Sequence, residues 1–316
     1  RPIVRFMVEV IDPRIGETVY DPACGSCGFL AEAYVHMKRE VKGSKEYEIL
    51  QRRTFFGQEK KPIPTLLGVM NLVLHGVLTP NVVRRNTLEE NIRNVTERFD
   101  VILTNPPFGG TENRQIQQNF PVQSQATELL FLQHILKKLK ATGSIGPPRC
   151  GMVVPEGTLF RGDAFALVKK DLLEHFNLHT VVSLPAGVFL PYSGVKTNLL
   201  FFERTGPTKQ IWYYELLPPL EVGKYTKGKP IQDEHFNDCR AKWKTREVSE
   251  QSWIVPVEEI VKRGYDLTAK NPNRPDEAAR RTPEELTASI LAKEQRIAEL
   301  LEEVQTLLEG GNEPSS

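Results

Sequence analysis

The chain of 316 residues has few cysteines and no long hydrophobic run, and both absences narrow its class. Four cysteines in a chain of this length do not form the disulfide framework of a small secreted domain. No stretch is apolar enough to cross a membrane, and no signal peptide is evident. The six histidines lack metal-ligand spacing. We therefore expect a globular cytoplasmic protein with no metal and no membrane partner.

A surplus of positive charge is also missing. The 41 Lys and Arg residues are balanced by 40 Asp and Glu residues, so the net charge is only +1. Phosphate contacts supply most of the non-specific affinity of proteins for DNA. This balance argues against a protein that grips DNA without help from another polypeptide.

The most informative stretch runs from Asp100 to Phe108 and reads Asp-Val-Ile-Leu-Thr-Asn-Pro-Pro-Phe. Its apolar run predicts a buried parallel strand. The two prolines stop that strand and fix the backbone just past its carboxyl end. Ligands of open α/β sheets bind at this edge. The candidate catalytic residues are therefore Asn105, Pro106, Pro107 and Phe108.

These residue types suit a flat base that carries an exocyclic amine. The Asn105 amide oxygen and the Pro106 carbonyl can accept both amine hydrogens, and Phe108 can stack on the ring. The N6 amine of adenine is a poor nucleophile because its lone pair is delocalised, and two acceptors favour the pyramidal, more reactive nitrogen. The base must leave the duplex to reach such a pocket. The alternative is a structural Pro-Pro turn after a buried strand.

A second motif lies upstream. Thr18-Val19-Tyr20 predicts a short strand, and a helical pattern follows the turn Asp21-Pro22-Ala23-Cys24-Gly25-Ser26-Cys27-Gly28-Phe29-Leu30. Strand, Gly-rich turn and helix form the first unit of a nucleotide-binding sheet. This turn is neither the dinucleotide fingerprint nor a Walker motif. It opens on Asp21, which favours a ligand with an ammonium group and no phosphates, such as S-adenosylmethionine.

Together, Asp-Pro-x-Cys-Gly-Ser-x-Gly-Phe-Leu and Leu-Thr-Asn-Pro-Pro-Phe-Gly-Gly resemble the modification (M) subunit of type I restriction-modification systems. That family consists of S-adenosylmethionine-dependent DNA adenine-N6 methyltransferases. The resemblance is strong over residues 1–205 and weak at the C-terminal helix. It implies an α/β fold: a Rossmann-like seven-stranded methyltransferase sheet with helices on both faces, plus a C-terminal helical arm.

The resemblance also implies the site residues. Asp21 and the Gly25 backbone would hold the methionine part of the cofactor, and Glu59 would take its ribose hydroxyls. Asn86 would lie near its adenine. Phe189 is a candidate second stacking surface for the base, and a core aromatic is an equally good reading of it. The implied cofactor-binding residues are Asp21, Pro22, Cys24, Gly25, Gly28, Phe29, Glu59, Asn86, Thr87 and Asn105.

Two features depart from the family pattern. Cys27 stands where the family usually has Gly, in a turn that closely approaches the cofactor. Because Cys is small, we expect accommodation rather than inactivation. The family also carries a helical domain and a Tyr/Phe-x-Thr-Pro element before the helix that here begins Arg1-Pro2. We therefore expect this chain to be a fragment.

The C-terminal third divides into three predicted parts. Residues 206–275 are expected to form an irregular extension, 276–310 a helical arm for partner docking, and 311–316 a disordered tail. Thr282-Pro283-Glu284-Glu285 predicts a helix start. Apolar residues then recur at heptad spacing: Leu286, Ile290, Ile297, Leu300, Val304 and Leu307. Three heptads are too few for an isolated coiled coil, so this stripe needs a partner.

We interpret the chain as a modification subunit that transfers methyl from S-adenosylmethionine to adenine N6 of double-stranded DNA in a prokaryotic cytoplasm. By resemblance, its partners are DNA with a flipped adenine, a specificity (S) subunit on the arm, a restriction/translocase (R) subunit and a second M subunit. Two alternatives stay open. One is a glutamine-N5 protein methyltransferase, in which Tyr usually follows Asn-Pro-Pro. The other is a catalytically silent scaffold that holds the specificity subunit.

Overall fold

Nine strands form one mixed sheet in the computed structural model, which describes residues 1–219, 222–273 and 283–310. The strands of this described part are β1 (Val19–Asp21), β2 (Phe55–Glu59), β3 (Asn81–Arg84), β4 (Val101–Thr104), β5 (Arg149–Pro155), β6 (Asn177–Ser183), β7 (Thr197–Glu203), β8 (Gln210–Glu215) and β9 (Ser252–Pro256). Their order across the sheet is β3-β2-β1-β4-β5-β7-β6-β8-β9.

Helices connect the strands. They are α1 (Pro2–Ile11), α2 (Gly28–Lys38), α3 (Ser44–Arg52), α4 (Pro62–His75), α5 (Arg114–Gln117), α6 (Thr127–Lys138), α7 (Glu156–Phe160), α8 (Ala164–His175), α9 (Asn237–Lys242), α10 (Val257–Lys262) and α11 (Pro283–Gly310). Short 3-10 helices cover Thr87–Glu89, Ile92–Asn94 and Asp233–Phe236. The predicted strands and helices of both motifs are present as β1, α2 and β4.

The direction of the strands places the candidate site. β1 to β5 run parallel, whereas β7 lies antiparallel between β5 and β6. The chain steps outward from β1 to β3 and then returns to the other side of β1 with β4. The strand order therefore reverses between β1 and β4, and open α/β sheets bind ligands beyond the carboxyl ends at such a switch point.

Apolar layers cover both faces of the sheet, which explains why the central strands are apolar throughout. On β4, Ile102 faces a layer that includes α6 and α8. Its neighbours Val101 and Leu103 face the opposite layer, which includes α1 and α2. The alternation follows from the two-residue period of a strand. The predicted doubly covered α/β sheet is confirmed.

The sheet nevertheless extends beyond the seven strands expected. Residues 206–275 are not an irregular extension: they contain β8, α9, β9 and α10. β8 pairs in parallel with β6, and β9 pairs antiparallel with β8. The prediction missed β9 because its sequence, Ser-Trp-Ile-Val-Pro, has no regular alternation of apolar and polar residues and ends in a proline. Residues Arg1–Asn271 consequently form one unit.

The second unit, Pro272–Ser316, contains helix α11 where the helical arm was predicted. The described large apolar side chains of α11 are exposed, namely Ile290, Leu291, Ile297, Leu300 and Leu301. The predicted cap Thr282 and the predicted tail 311–316 lie outside the described residues. Over the described part of the chain, no helix has both the length and the apolar character needed to cross a membrane.

Candidate active site

Asp21 and Asn105 lie at adjoining strand ends. Asp21 is the last residue of β1, and its Oδ1 accepts hydrogen bonds from the Thr104 hydroxyl at 2.7 Å and the Ala23 N–H at 3.1 Å. Thr104 ends β4 and directly precedes Asn105. The structure therefore brings the acidic residue of the first motif and the amide residue of the second motif to one point of the sheet edge.

The Asp21 carboxyl is held in an unusual state. It is 2% exposed, and burial raises its pKa to about 7, with a further small rise from the Glu59 charge. The hydrogen bonds from Thr104 and Ala23 act in the opposite direction but do not cancel the effect of burial. A cationic group placed beside Asp21 would favour its charged form.

The turn after β1 is tied to β2 and is open on one side. The Gly25 N–H donates to Glu59 Oε2 at 3.1 Å, and the Cys24 N–H donates to the Gln58 carbonyl at 3.0 Å. Gly25 has φ +50°, a region that favours glycine. Apart from each glycine's own atoms, its chain neighbours and the adjoining helix backbone, no atom lies within 4 Å of the position that a Cβ on Gly25 or Gly28 would occupy. These two glycines leave room for a ligand.

Cys27 fits into this turn with the help of helix α4. Its side chain is fully buried, and its backbone has the left-handed conformation, with φ +58°. Gly68 of α4 faces it, since a Cβ at Gly68 would lie 2.6 Å from the Cys27 Sγ and 2.9 Å from the Gly25 carbonyl oxygen. The Asn71 side chain also donates to the Ser26 carbonyl at 2.8 Å. The expected accommodation of the thiol therefore depends on the absence of a side chain at Gly68.

Glu59 holds the turn and keeps capacity for a ligand. Besides Gly25, it accepts a hydrogen bond from the Lys61 N–H through Oε1 at 2.8 Å. Each carboxylate oxygen has two lone pairs, so Glu59 can also accept hydroxyl donors. Asn86 lies just after β3, the strand that pairs with β2. Its Oδ1 caps the 3-10 helix Thr87–Glu89 by accepting a hydrogen bond from the Leu88 N–H at 3.3 Å.

Other predicted cofactor residues are buried. Thr87 is 3% exposed, and its hydroxyl donates a hydrogen bond to the Pro22 carbonyl at 2.5 Å. Thr87 therefore helps to hold the turn after β1. The side chains of Cys24 and Phe29 belong to the core layer on the α1 and α2 face. Their side chains therefore support the turn from the core and do not face a ligand.

The Asn105–Phe108 segment alternates between exposed and buried residues. Asn105 is exposed and makes no side-chain hydrogen bond with the described residues, whereas Pro106 is buried and Pro107 exposed. Phe108 and Phe189 are both partly buried, with ring centroids 6.5 Å apart and planes at 81°. The structure thus brings Phe189 next to Phe108, although the two residues are far apart in sequence.

The loop beyond Phe108 is anchored to helix α6. The Thr127 N–H donates to the Gly110 carbonyl at 3.1 Å, and a Cβ at Gly110 would lie 2.5 Å from the Thr127 hydroxyl oxygen. This contact and the supporting roles of Thr104 and Gly68 were not predicted from the sequence. Only Thr104 left a signal, as a polar residue at the end of an otherwise apolar strand.

Known proteins that are similar to this chain are DNA methylases. A family model described as N-6 DNA Methylase matches residues 1–280. The chain is 42% identical to the type I restriction enzyme EcoEI methylase subunit of Escherichia coli, over 98% of this chain and 64% of that protein. It is 32% identical to the EcoKI methylase subunit of Escherichia coli K12, over 75% of this chain and 46% of that protein.

A solved structure extends the comparison to three dimensions. A chain from a study of complex assembly and conformational transition of the type I R-M system superposes with a TM-score of 0.85 and 62% identity. The superposition covers 99% of this chain and 66% of that chain. This chain thus spans about half to two thirds of the length of the relatives it matches. The resemblance seen in the sequence is confirmed, and the chain belongs to the N-6 DNA methylase family.

Proposed function

We propose that this chain is the catalytic part of a modification subunit that transfers methyl from S-adenosylmethionine to adenine N6 in double-stranded DNA. The observation that carries the proposal is the 2.7 Å hydrogen bond from Thr104 to Asp21. Through this bond, a carboxylate suited to a cationic ligand and an amide suited to an exocyclic amine lie at adjoining strand ends. A methyl donor and its acceptor require such proximity.

The residues present fit S-adenosylmethionine. Asp21 would hold the ammonium of its methionine part, which explains why a buried carboxylate lacks a cationic partner among the described residues. Gly25 and Gly28 leave open space beside the turn. Glu59, at the end of β2, would accept the ribose hydroxyls. Asn86 follows the neighbouring outermost strand β3, and the adenine would extend toward it. When bound, this cofactor supplies an electrophilic methyl group.

The chain itself positions and activates the target amine. The Asn105 Oδ1 and the Pro106 carbonyl would accept the two N6 hydrogens and favour the pyramidal nitrogen. Pro106 is buried and Gly110 is anchored to α6, so the backbone that carries the Pro106 carbonyl and the Asn105 side chain is fixed before the base arrives. Fixed dipoles need no reorganisation during the reaction, which is the main source of electrostatic catalysis.

Phe108 and Phe189 would receive the flipped base from two directions. Because their planes are nearly perpendicular, a base that stacks on one ring meets the other ring edge-on. Offset stacking and edge-to-face contacts are both favourable aromatic geometries, each worth about 0.5–1.5 kcal/mol beyond the buried area. The corner formed by the two rings would therefore hold the base and set its orientation.

In this proposal, other polypeptides read the DNA. A net charge of +1 gives little sequence-independent affinity, so a specificity subunit would supply target recognition and dock on helix α11. A second M subunit and a restriction/translocase subunit would complete the assembly. The EcoEI and EcoKI relatives are named as methylase subunits of type I restriction enzymes, which supports this division.

The substitution Asn105→Ala tests the reaction. We expect methyl transfer to fall by about 10²–10³-fold, or about 3–4 kcal/mol of transition-state stabilisation. Cofactor affinity should stay within about twofold, because Asn105 faces the amine. The measurement is tritiated methyl incorporation into DNA by the assembled complex, with calorimetry for the cofactor. The matched control is Asn94→Ala, which removes another exposed amide.

Three outcomes would contradict the proposal. Near-normal incorporation by Asn105→Ala would remove Asn105 from the catalytic set. Incorporation into protein rather than DNA would favour the glutamine-N5 alternative. A wild-type complex that assembles on DNA but neither binds the cofactor nor transfers methyl would favour the scaffold alternative.

A further inference from the structure

Tyr192 is an aromatic residue that the fold leaves almost entirely in solvent. It is 94% exposed, more than any other large hydrophobic side chain in the described part of the chain. Its ring and hydroxyl make no contact with another described residue through a hydrogen bond or ring packing. Since an exposed ring gains no free energy from burial, packing does not explain an aromatic residue at this position.

Tyr192 lies in the loop that joins β6 to β7, residues 184–196. β6 runs parallel to β4 and β5, so this loop begins at the sheet edge that also carries Asn105. The same loop carries Phe189, whose ring packs beside Phe108. The Tyr192 N–H donates a hydrogen bond to the Phe189 carbonyl at 2.9 Å. In such a four-residue turn the two Cα atoms lie within about 7 Å of each other, so Tyr192 is a close neighbour of the proposed base pocket.

Contacts on both sides of Tyr192 hold this loop. On one side, Gly187 has φ +88°, and a Cβ there would lie 2.5 Å from the Tyr225 carbonyl oxygen, so the two backbones pack directly against each other. On the other side, the Lys196 Nζ lies 2.7 Å from Glu156 Oε1, and the Glu156 N–H donates to the Lys196 carbonyl at 2.9 Å. The loop is therefore anchored to the protein, while the Tyr192 side chain extends into solvent.

A base that leaves the duplex creates a gap in the stack of base pairs. Extrusion costs the stacking and pairing of that base, and the open gap favours its return. An apolar side chain inserted between base pairs can hold such a gap open. An aromatic ring also recovers stacking energy, and it does so for any base because every base has a flat face. The gap and the flipped base are joined by the backbone of a single nucleotide, so a side chain that fills the gap must come from close to the base pocket.

We propose that Tyr192 enters the gap left by the target adenine and stacks on the neighbouring base pairs. This inference rests on the proposed function, because it requires an adenine that leaves the duplex. The observation that carries it is an exposed ring held one turn away from Phe189 on an anchored loop. Tyr192 would act on the flipping equilibrium, whereas Asn105 acts on the amine after the base has flipped. The two roles therefore respond differently to the strength of the target base pair.

The first experiment measures flipping and methyl transfer by the assembled complex. The probe is a duplex that contains the methylation site of the complex, with 2-aminopurine, which fluoresces more strongly when unstacked, in place of the target adenine. Tyr192→Ala should reduce the rise in fluorescence and should slow methyl transfer to the adenine duplex by about tenfold to a hundredfold. Tyr192→Phe keeps the ring and should restore most of both signals. The matched control is Tyr47→Ala, which removes an exposed tyrosine on α3, outside the proposed site.

The second experiment changes the strength of the target base pair. An abasic site opposite the target adenine removes its pairing and lowers the cost of extrusion. The ratio of Tyr192→Ala to wild-type methyl transfer should therefore rise toward one on this duplex. Any loss of recognition that both proteins share cancels in the ratio. Asn105→Ala should stay equally impaired on both duplexes, because Asn105 acts after the base has flipped.

Four results would overturn the assignment of Tyr192. Wild-type fluorescence and transfer by Tyr192→Ala would do so and would leave the proposed function intact. A transfer defect of the same size on both duplexes would place Tyr192 outside the flipping step. Loss of complex assembly by Tyr192→Ala, measured by co-purification alongside an unchanged thermal unfolding curve, would assign the residue to a protein partner. A wild-type complex that neither transfers methyl nor raises the fluorescence would overturn the proposed function and this inference together.

Discussion

Replacing Asp21 with Asn is expected to stabilise the folded chain as pH rises while it weakens cofactor binding. Burial raises the pKa of Asp21 to about 7, from an ordinary value of 3.8. The folded chain therefore holds this proton more tightly than the unfolded chain. The stabilisation from the proton is fully present below pH 3.8 and is lost as pH rises through about 7. Ionised Asp21 thus destabilises the fold in the absence of a cationic ligand.

The size of the effect follows from the shift. One pKa unit corresponds to 1.36 kcal/mol, so a shift of roughly three units corresponds to about 4 kcal/mol. Asn keeps an Oδ1 that can accept from Thr104 and Ala23, but it cannot ionise. Relative to wild type, Asp21→Asn should gain about 2 kcal/mol at pH 5 and approach about 4 kcal/mol at pH 8.

Urea unfolding followed by circular dichroism at pH 5, 6, 7 and 8 measures this difference. Asp100→Asn is the control, since its carboxyl is also buried. Burial opposes ionisation of Asp100, but hydrogen bonds from Lys140, Thr18 and Ser144 outweigh it and lower its pKa to about 2. Its stabilisation is lost only as pH falls toward 2. Asp100→Asn should therefore be destabilised by about 2 kcal/mol at every pH from 5 to 8.

Cofactor binding should respond in the opposite direction. An ammonium selects the ionised carboxylate, so the affinity of the wild-type chain for S-adenosylmethionine should increase as pH rises through 7. Asp21→Asn should bind weakly and lose this dependence, as measured by calorimetry. A stability difference that stays flat from pH 5 to 8 would refute the argument about Asp21. Unchanged cofactor affinity in the variant would point to a different ligand.

Two further predictions concern packing. Gly68→Ala should lower the free energy of unfolding by about 1–3 kcal/mol, although Ala is the better helix former, because its Cβ would meet the Cys27 Sγ and the Gly25 carbonyl. Adding Cys27→Gly should recover part of this loss in a double-mutant cycle, and additive effects would exclude the proposed contact. Ile297→Asp with Leu301→Asp should abolish co-purification with the proposed specificity subunit and leave the thermal unfolding of Arg1–Asn271 unchanged. Co-purification at wild-type yield would exclude docking on α11, and a destabilised core would show that the stripe packs within the chain.

Local sequence patterns were sufficient for the central sheet. The apolar run before Asn105 predicted β4, and the short run before Asp21 predicted β1. Both strands are buried by helices on two faces, so each reads as a continuous apolar segment that prolines or a Gly-rich turn must end. The carboxyl ends of parallel strands share one edge, which is why the sequence could place Asp21, Glu59 and Asn105 on the same side of the protein.

The prediction was weakest at β9, whose local sequence carries no clear strand pattern. β9 is a short strand, and its partner β8 lies well upstream along the chain. Its local sequence, Ser-Trp-Ile-Val-Pro, has no alternation that distinguishes a strand from a loop. The contact with β8, and not the intrinsic preference of these residues, decides that the segment is extended, because strand preference depends strongly on neighbours.

By itself, the sequence determined which residue types end the central strands and hence the chemistry available at the sheet edge. Only the tertiary structure decided that Asp21 receives a hydrogen bond from Thr104, that Phe189 meets Phe108, and that Gly68 makes room for Cys27. These pairs depend on the order of the strands and on the packing of helices across them. The spacing of neighbouring residues encodes neither the strand order nor the helix packing, because each of these contacts joins segments that are far apart in the sequence.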